Sequence, residues 1–350
     1  MRVTCRSSSR LRAISTQDLS CPTNISASSD IARLLSRSLS GYLCGTHSGA
    51  LSRRWGDRLP LVEFGRAHEQ LVCGSAAESL RLGGYLWQPP AGAEQLARAL
   101  RSVLDVPGVV DLVLYGSQAR HSTTGYSDVD AILVVTDQTA HSPAALRELR
   151  PVVMSAQRHV LRYQPMQHHG FEVVTPALLS SAASALQLPA EALAHSATLL
   201  GRSTPAAFNH PAANDARARF ELLARQLGSV RTWPRHPWNL HGVLSMFELL
   251  PVLFLQSTGE RVEKWRSFEI ARERFPGAWQ PYETLENVRE RWPKRRHRMM
   301  RSMLRSAKNP WVVVDLWRRG PVVASDEIRS LLTPSTLDDL HVLIDLMRRG

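Results

Sequence analysis

The chain reads as an α+β protein, a small mixed-sheet core followed by an α-helical C-terminal domain. Two observations carry that reading. Short apolar runs rich in β-branched residues, 109–115 and 131–135, stand close together and are bounded by turn formers, as buried strands are. From Asn214 to the C-terminus, apolar residues recur instead at helical spacing, with no strand-like alternation. At 350 residues the chain can hold two domains, each with its own core.

Residues 1–58 differ from the rest of the chain, being rich in Ser and Arg, poor in acids and without a sustained hydrophobic period. They read as a disordered basic leader, with a transit peptide or a misassigned start as alternatives; no continuous apolar core supports a secretory signal. Residues 59–204 are then expected to form the sheet domain and 205–350 the helical one. Two helical patterns lie between Leu61 and Leu104, divided by Gly83-Gly84-Tyr85 and the turn at Pro89-Pro90. The second, 92–104, is amphipathic and leads into the first strand, 109–115. After the strand at 131–135, residues 143–162 place Leu146, Leu149, Val153 and Val160 at helical spacing. Residues 166–175 are strand-like and end at Pro176, 178–200 read as one or two Ala/Leu-rich helices, and 205–211 as a linker.

Further on, Phe220–Leu227 is amphipathic, and the apolar run Leu240–Leu255 stops at Gly259, its Pro251 marking a kink or a helix start. Helices over 261–275, 282–292, 311–319, 325–332 and 335–347 complete a bundle, with Ser325 and Ser335 as N-caps and Ser335-x-x-Asp338 resembling a capping box.

The segment between the first two strands carries the chemistry. Gly116-Ser117 at a strand end lets backbone approach a ligand and offers an amide and a hydroxyl to phosphate oxygens. Asp128 and Asp130, two apart on extended chain, present their carboxylates together, and their mutual repulsion is relieved by a hard divalent cation such as Mg²⁺.

Gly116-Ser117, then Arg120, then Ser127-Asp128-x-Asp130 resembles the motif of the DNA polymerase β-like nucleotidyltransferase superfamily, closest in style to its minimal and aminoglycoside-modifying branches. His121 departs from the pattern, since many members carry a second glycine after the arginine. The resemblance covers a small part of the chain. It implies a nucleotidyltransferase core and a metal-dependent transfer of a nucleoside monophosphate from a nucleoside triphosphate to an acceptor hydroxyl, releasing pyrophosphate. Asp128 and Asp130 would bridge Mg²⁺ or Mn²⁺, Gly116 and Ser117 would bind the β- and γ-phosphates, and Arg120 would neutralise the leaving group. The superfamily also uses a third carboxylate from a later strand, a role that Glu172 suits. Alternation over 166–175 places His168, Gly170 and Glu172 on one face, with His168 in reach of substrate, and His169, Phe171 and Val173 on the other. Lys264 is expected to reach the triphosphate, as lysines in helical domains of related enzymes do.

The acceptor stays open among a small molecule, a protein and RNA. The basic stretch 291–305 offers phosphate contacts to a nucleic acid, although charge runs also form solvated helix faces. Trp233, Trp238 and Trp265 are candidates for stacking on a base, or for bundle core. Two rival readings are a catalytically inert nucleotide- or nucleic-acid-binding module, and a transferase that nucleotidylates a partner protein. A net charge of +12 favours polyanionic partners. The four cysteines, Cys5, Cys21, Cys44 and Cys73, form no Cys-x-x-Cys pair, which argues against a zinc finger or disulfide framework and for a reducing, cytoplasmic setting. No apolar stretch reads as a membrane span, so no membrane partner is expected.

Overall fold

The computed structural model describes residues 39, 43, 78–167, 169–180, 193, 195–202, 204–208, 213–293 and 298–350. Most of the expected leader, the larger part of the first helical pattern and His168 lie outside them. One correction to the leader is visible: Leu39 and Leu43 are helical, and both are buried in the core of the sheet half.

The first half contains β1 (Glu78–Leu82), β2 (Tyr85–Leu86), α1 (Glu94–Leu104), β3 (Val109–Tyr115), α2 (Gly116–Ala119), β4 (Asp130–Val135), α3 (Asp137–His141), α4 (Pro143–Tyr163), β5 (Glu172–Val174), α5 (Pro176–Ser180), β6 (Ala197–Thr198) and β7 (Thr204–Phe208). The expected order of helix, strand, strand, helix, strand is present. A five-stranded mixed sheet runs β2-β6-β3-β4-β5, with β3 antiparallel to both β4 and β6 and β4 parallel to β5. α1 buries Leu96, Ala97, Leu100 and Val103, the helical spacing read from the sequence, and packs against α4. α4 starts at Pro143 behind its N-cap Ser142, whose hydroxyl accepts from the Ala145 amide at 3.3 Å.

Three expectations fail in this half. Residues 78–82 form a strand rather than the end of a helical pattern. Their antiparallel partner is β7, so 204–208 is sheet and not linker. Residues 197–198, expected to be helical, form a strand between β2 and β3. That short strand is fastened by Thr198, whose hydroxyl lies 2.7 Å from each carboxylate oxygen of buried Asp111 on β3.

The second half comprises α6 (Ala213–Gly228), α7 (Pro237–Ser257), α8 (Lys264–Arg274), a 3-10 turn (Pro276–Ala278), α9 (Gln280–Arg291), α10 (Arg298–Ser306), α11 (Pro310–Arg318), α12 (Asp326–Leu331) and α13 (Pro334–Arg349). α7 runs through Pro251 and begins at Pro237, so Pro251 starts no helix. By length and composition this 21-residue helix would suffice to cross a membrane, contrary to the sequence reading, yet 72% of its most apolar window is buried inside the protein. Ser325 caps α12 as expected, accepting from the Ile328 amide. For α13 the cap is Thr333 rather than Ser335, because Pro334 suits the first helical position and starts the helix earlier.

Each half has its own core, but the partition is not clean. Tyr126, Leu161 and Met166 belong by sequence to the sheet half and pack into the helical core beside Phe220, Leu244 and Phe247.

Candidate active site

β3 and β4 pair so that Tyr115, the last residue of one, stands opposite Asp130, the first of the other. The chain turns out of β3 at Gly116, whose φ of 67° is a left-handed conformation that glycine tolerates and L side chains disfavour. A Cβ there would lie 2.6 Å from Asp130 Oδ2, so the missing side chain is the space the carboxylate occupies. Farther round the turn His121 also adopts a left-handed backbone, φ 55°, the conformation for which a glycine would serve.

The loop carrying Asp128 is held from below and from across the molecule. Gln164, the C-cap of α4, donates from Nε2 to the carbonyls of Gly125 (3.0 Å) and Ser127 (2.5 Å). Gln167 brackets Val129, accepting its amide at 2.8 Å and donating to its carbonyl at 3.1 Å. Tyr126 reaches into the helical half, where its hydroxyl donates to the His241 carbonyl at 2.9 Å and lies 2.7 Å from Ser245 Oγ. Its ring stacks on His241 at 4.1 Å, and His241 Nε2 donates back to the Tyr126 carbonyl.

Asp130 opens β4, Asp128 lies in the irregular segment just before it, and both line one cleft. Glu172 opens β5 level with Ile132, two residues along from Asp130, so parallel register puts Glu172 and Asp130 on the same sheet face. The Tyr115 hydroxyl registers the crowding: burial first, then the charges of Asp130, Glu172 and Asp128, push its pKa well above 10.0.

His169, expected on the opposite face, is instead a partner of Asp130. Residues 169–171 are irregular, the strand beginning only at Glu172, so period-two alternation does not extend back to the histidine. Its Nε2 lies 3.1 Å from Asp130 Oδ1 and its Nδ1 lies 2.9 Å from the Gly170 carbonyl. With both ring nitrogens facing oxygens, the imidazolium is favoured. Burial lowers its pKa, but the hydrogen bond to Asp130 and the charges of Asp130 and Asp128 outweigh that and raise it to about 9.

A cleft of about 660 Å³ lies between the halves, lined by Gly116, Ser117, Arg120, Asp128, Asp130 and Lys264 among others. Residues far apart in sequence are thus brought together as expected, except Glu172, which stands one strand behind the lining. Trp265 lines the cleft as well. Trp233 and Trp238 pack in the bundle, the first donating from its indole to the Thr333 carbonyl and the second meeting Trp317 edge-on at 6.1 Å. The basic stretch is also elsewhere: α10 packs on α4 and buries Met300 and Leu304 in the helical core, and residues 294–297 lie outside the described set.

Sequence reading missed the carboxylates that hold the site's cations. Glu248, buried in α7, accepts from Lys264 Nζ at 2.9 Å and pairs with Arg289 Nε at 3.2 Å. Glu263, the residue preceding α8, lies 3.7 Å from Arg120 Nη1 and 2.8 Å from His195 Nε2, and also accepts from the Trp265 indole. Glu248 had a signal, since it is the lone acid in the otherwise apolar stretch 240–255. Glu263, Gln164 and Gln167 carry no comparable mark.

Among the described residues no group of three or more His, Cys, Asp and Glu side chains forms a metal cluster. The Asp128/Asp130 pair nevertheless fits a hard cation of the Mg²⁺ kind, which takes one or two carboxylates and completes its shell with substrate phosphates and water. Gly116, having no Cβ, lets the Asp130 carboxylate sit against the turn at the cleft. No family model matches the chain, and no curated protein or solved structure matches it.

Proposed function

We propose that the chain is a metal-dependent nucleotidyltransferase, moving a nucleoside monophosphate from a nucleoside triphosphate to an acceptor hydroxyl. One observation carries the reading: a single cleft gathers the Gly116-Ser117 turn, the Asp128/Asp130 edge, Arg120 and Lys264 from both halves of the chain. A phosphate cradle, a pair of metal carboxylates and cations from both halves are the parts that phosphoryl transfer by positioning and electrostatics requires.

In this reading Gly116 and Ser117 receive the β- and γ-phosphates through amide and hydroxyl. Arg120 and Lys264, held in place by Glu263 and Glu248, turn their remaining N–H donors to phosphate oxygens and offset charge on the departing pyrophosphate. Asp128 and Asp130 would hold Mg²⁺ or Mn²⁺, which when bound supplies charge neutralisation at the phosphates. The acceptor oxygen bonds to the α-phosphorus, the α–β bridging bond breaks, and pyrophosphate leaves. The hydroxyl proton is released to solvent, and Glu172, on the Asp130 face of the sheet but outside the cleft lining, would support the metal end of Asp130 as the third carboxylate.

The test traces label from α-labelled nucleoside triphosphates into RNA, protein and small-molecule pools with Mg²⁺ or Mn²⁺. Asp128→Asn and Asp130→Asn are each expected to cut transfer by roughly 10³-fold or more, the scale set by loss of an electrostatic contact to the transition state, while both still unfold cooperatively and Asp130→Asn loses only the His169 contribution to stability. Parent-like transfer in either variant refutes the assignment.

A further inference from the structure

The two walls of the cleft differ in character. Facing the Asp128/Asp130 edge, the helical wall is built from α6, α7 and α8, and it exposes large apolar side chains into the cleft: Leu222 is 50%, Leu249 39% and Trp265 46% accessible. Val252, Leu253 and Phe268 continue the apolar lining behind them. Exposed apolar surface gathered in a concavity is the usual mark of a ligand site.

The charges of that wall are answered within the protein. Glu248 is paired with Lys264 and Arg289, Glu263 with Arg120 and His195, and Glu286 with Arg272 at 3.5 Å. Among the described residues the wall therefore presents no uncompensated carboxylates to draw a polycation. It presents no row of free cations to track a phosphodiester chain either. Among the described residues Arg219, on the same face of α6 as Leu222 and Leu223, is the one lining cation with no ion-pair partner. The volume, about 660 Å³, lies in the range of roughly 300–1,000 Å³ that encloses drug-sized ligands.

We infer that the acceptor is a small molecule whose apolar or aromatic body rests on Leu222, Leu249 and Trp265 and whose hydroxyl faces the Asp128/Asp130 edge. This rests on the nucleotidyl-transfer reading above and narrows its acceptor: a polycationic sugar or an RNA chain finds no complementary charge on this wall.

The probe is 8-anilinonaphthalene-1-sulfonate, an aromatic body with one anionic group for Arg219, titrated by fluorescence against the full chain. Leu222→Asn/Leu249→Asn and Asp128→Asn are titrated beside it, with thermal melts as the folding control. In parallel, calorimetry measures binding of each nucleoside triphosphate with Mg²⁺. One saturable dye site is expected, weakened roughly tenfold or more by Leu222→Asn/Leu249→Asn and unchanged by Asp128→Asn. Nucleotide binding should show the reverse pattern. Dye affinity indifferent to the leucine pair overturns the proposal. So does displacement of the dye by an oligoribonucleotide, by a polycationic aminosugar or by Mg²⁺–nucleotide, the last assigning the wall to the nucleobase. Loss of nucleotide binding from the parent with the dye pattern intact fails differently: it removes the transfer reaction, and the acceptor role with it, while leaving the apolar site.

Discussion

A methyl group on Gly116 would meet Asp130 Oδ2 at 2.6 Å on a backbone already at φ 67°. Gly116→Ala is therefore expected to cost about 1–2 kcal/mol from the left-handed backbone alone, and to displace the Asp130 carboxylate. Chemical denaturation reads the first effect and initial rates read the second, which should exceed what the stability loss explains. His169 gives a pH dependence whose sign is set by its raised pKa. Its bond to Asp130 contributes fully below about 6.5, the ordinary value, and is lost as pH rises towards about 9. Across that window the urea midpoint of the parent should fall more than that of His169→Gln, and equal slopes would show that the pair contributes nothing. At this scale the site is half legible in the sequence. Gly116, Ser117, Asp128 and Asp130 stand in a contiguous stretch where local geometry dictates their arrangement. His169 is misplaced by sequence reasoning because alternation is carried into residues that are not strand.

Among the elements, α7 and α8 show how one helix can serve packing and chemistry together. Lys264 opens α8, and with Arg289 of α9 it compensates Glu248 inside α7. A carboxylate that is 2% exposed tolerates neither partner's loss well, and Lys264→Met/Arg289→Met is expected to cost about 3–5 kcal/mol, with Glu248→Gln restoring part of it. A melt of the double and triple variants decides the point. The consequence for enzymology is direct: lost activity in a Lys264 variant implicates phosphate binding only if the fold is shown to survive. Long amphipathic helices such as α1 and α4 are readable because their apolar spacing is sustained. β1, β6 and β7 are not, since strands of two to five residues contain too few positions to declare a period, and their partners lie up to 130 residues away.

Across the whole molecule the halves share more than a boundary. Tyr126 stands two residues before Asp128 and is buried among His241, Trp292 and Phe220 of the helical core. Tyr126→Phe removes a hydroxyl that serves two partners and should cost about 1–2 kcal/mol. Calorimetry of the parent is expected to show one transition for the described halves, and Tyr126→Ala two, as the shared contact is withdrawn. Chain length points to two cores, and two exist, but length and charge say nothing of a side chain traded between them. Trading it means that the loop bearing the carboxylates is seated by the opposite half of the protein. A severed sheet half, even if it folded, would carry its Asp-x-Asp on a loop held by Gln164 and Gln167 alone, without the seat that Tyr126 finds in the helical half. The chemistry would return only on re-association of the two fragments, so split-protein complementation should report on this contact.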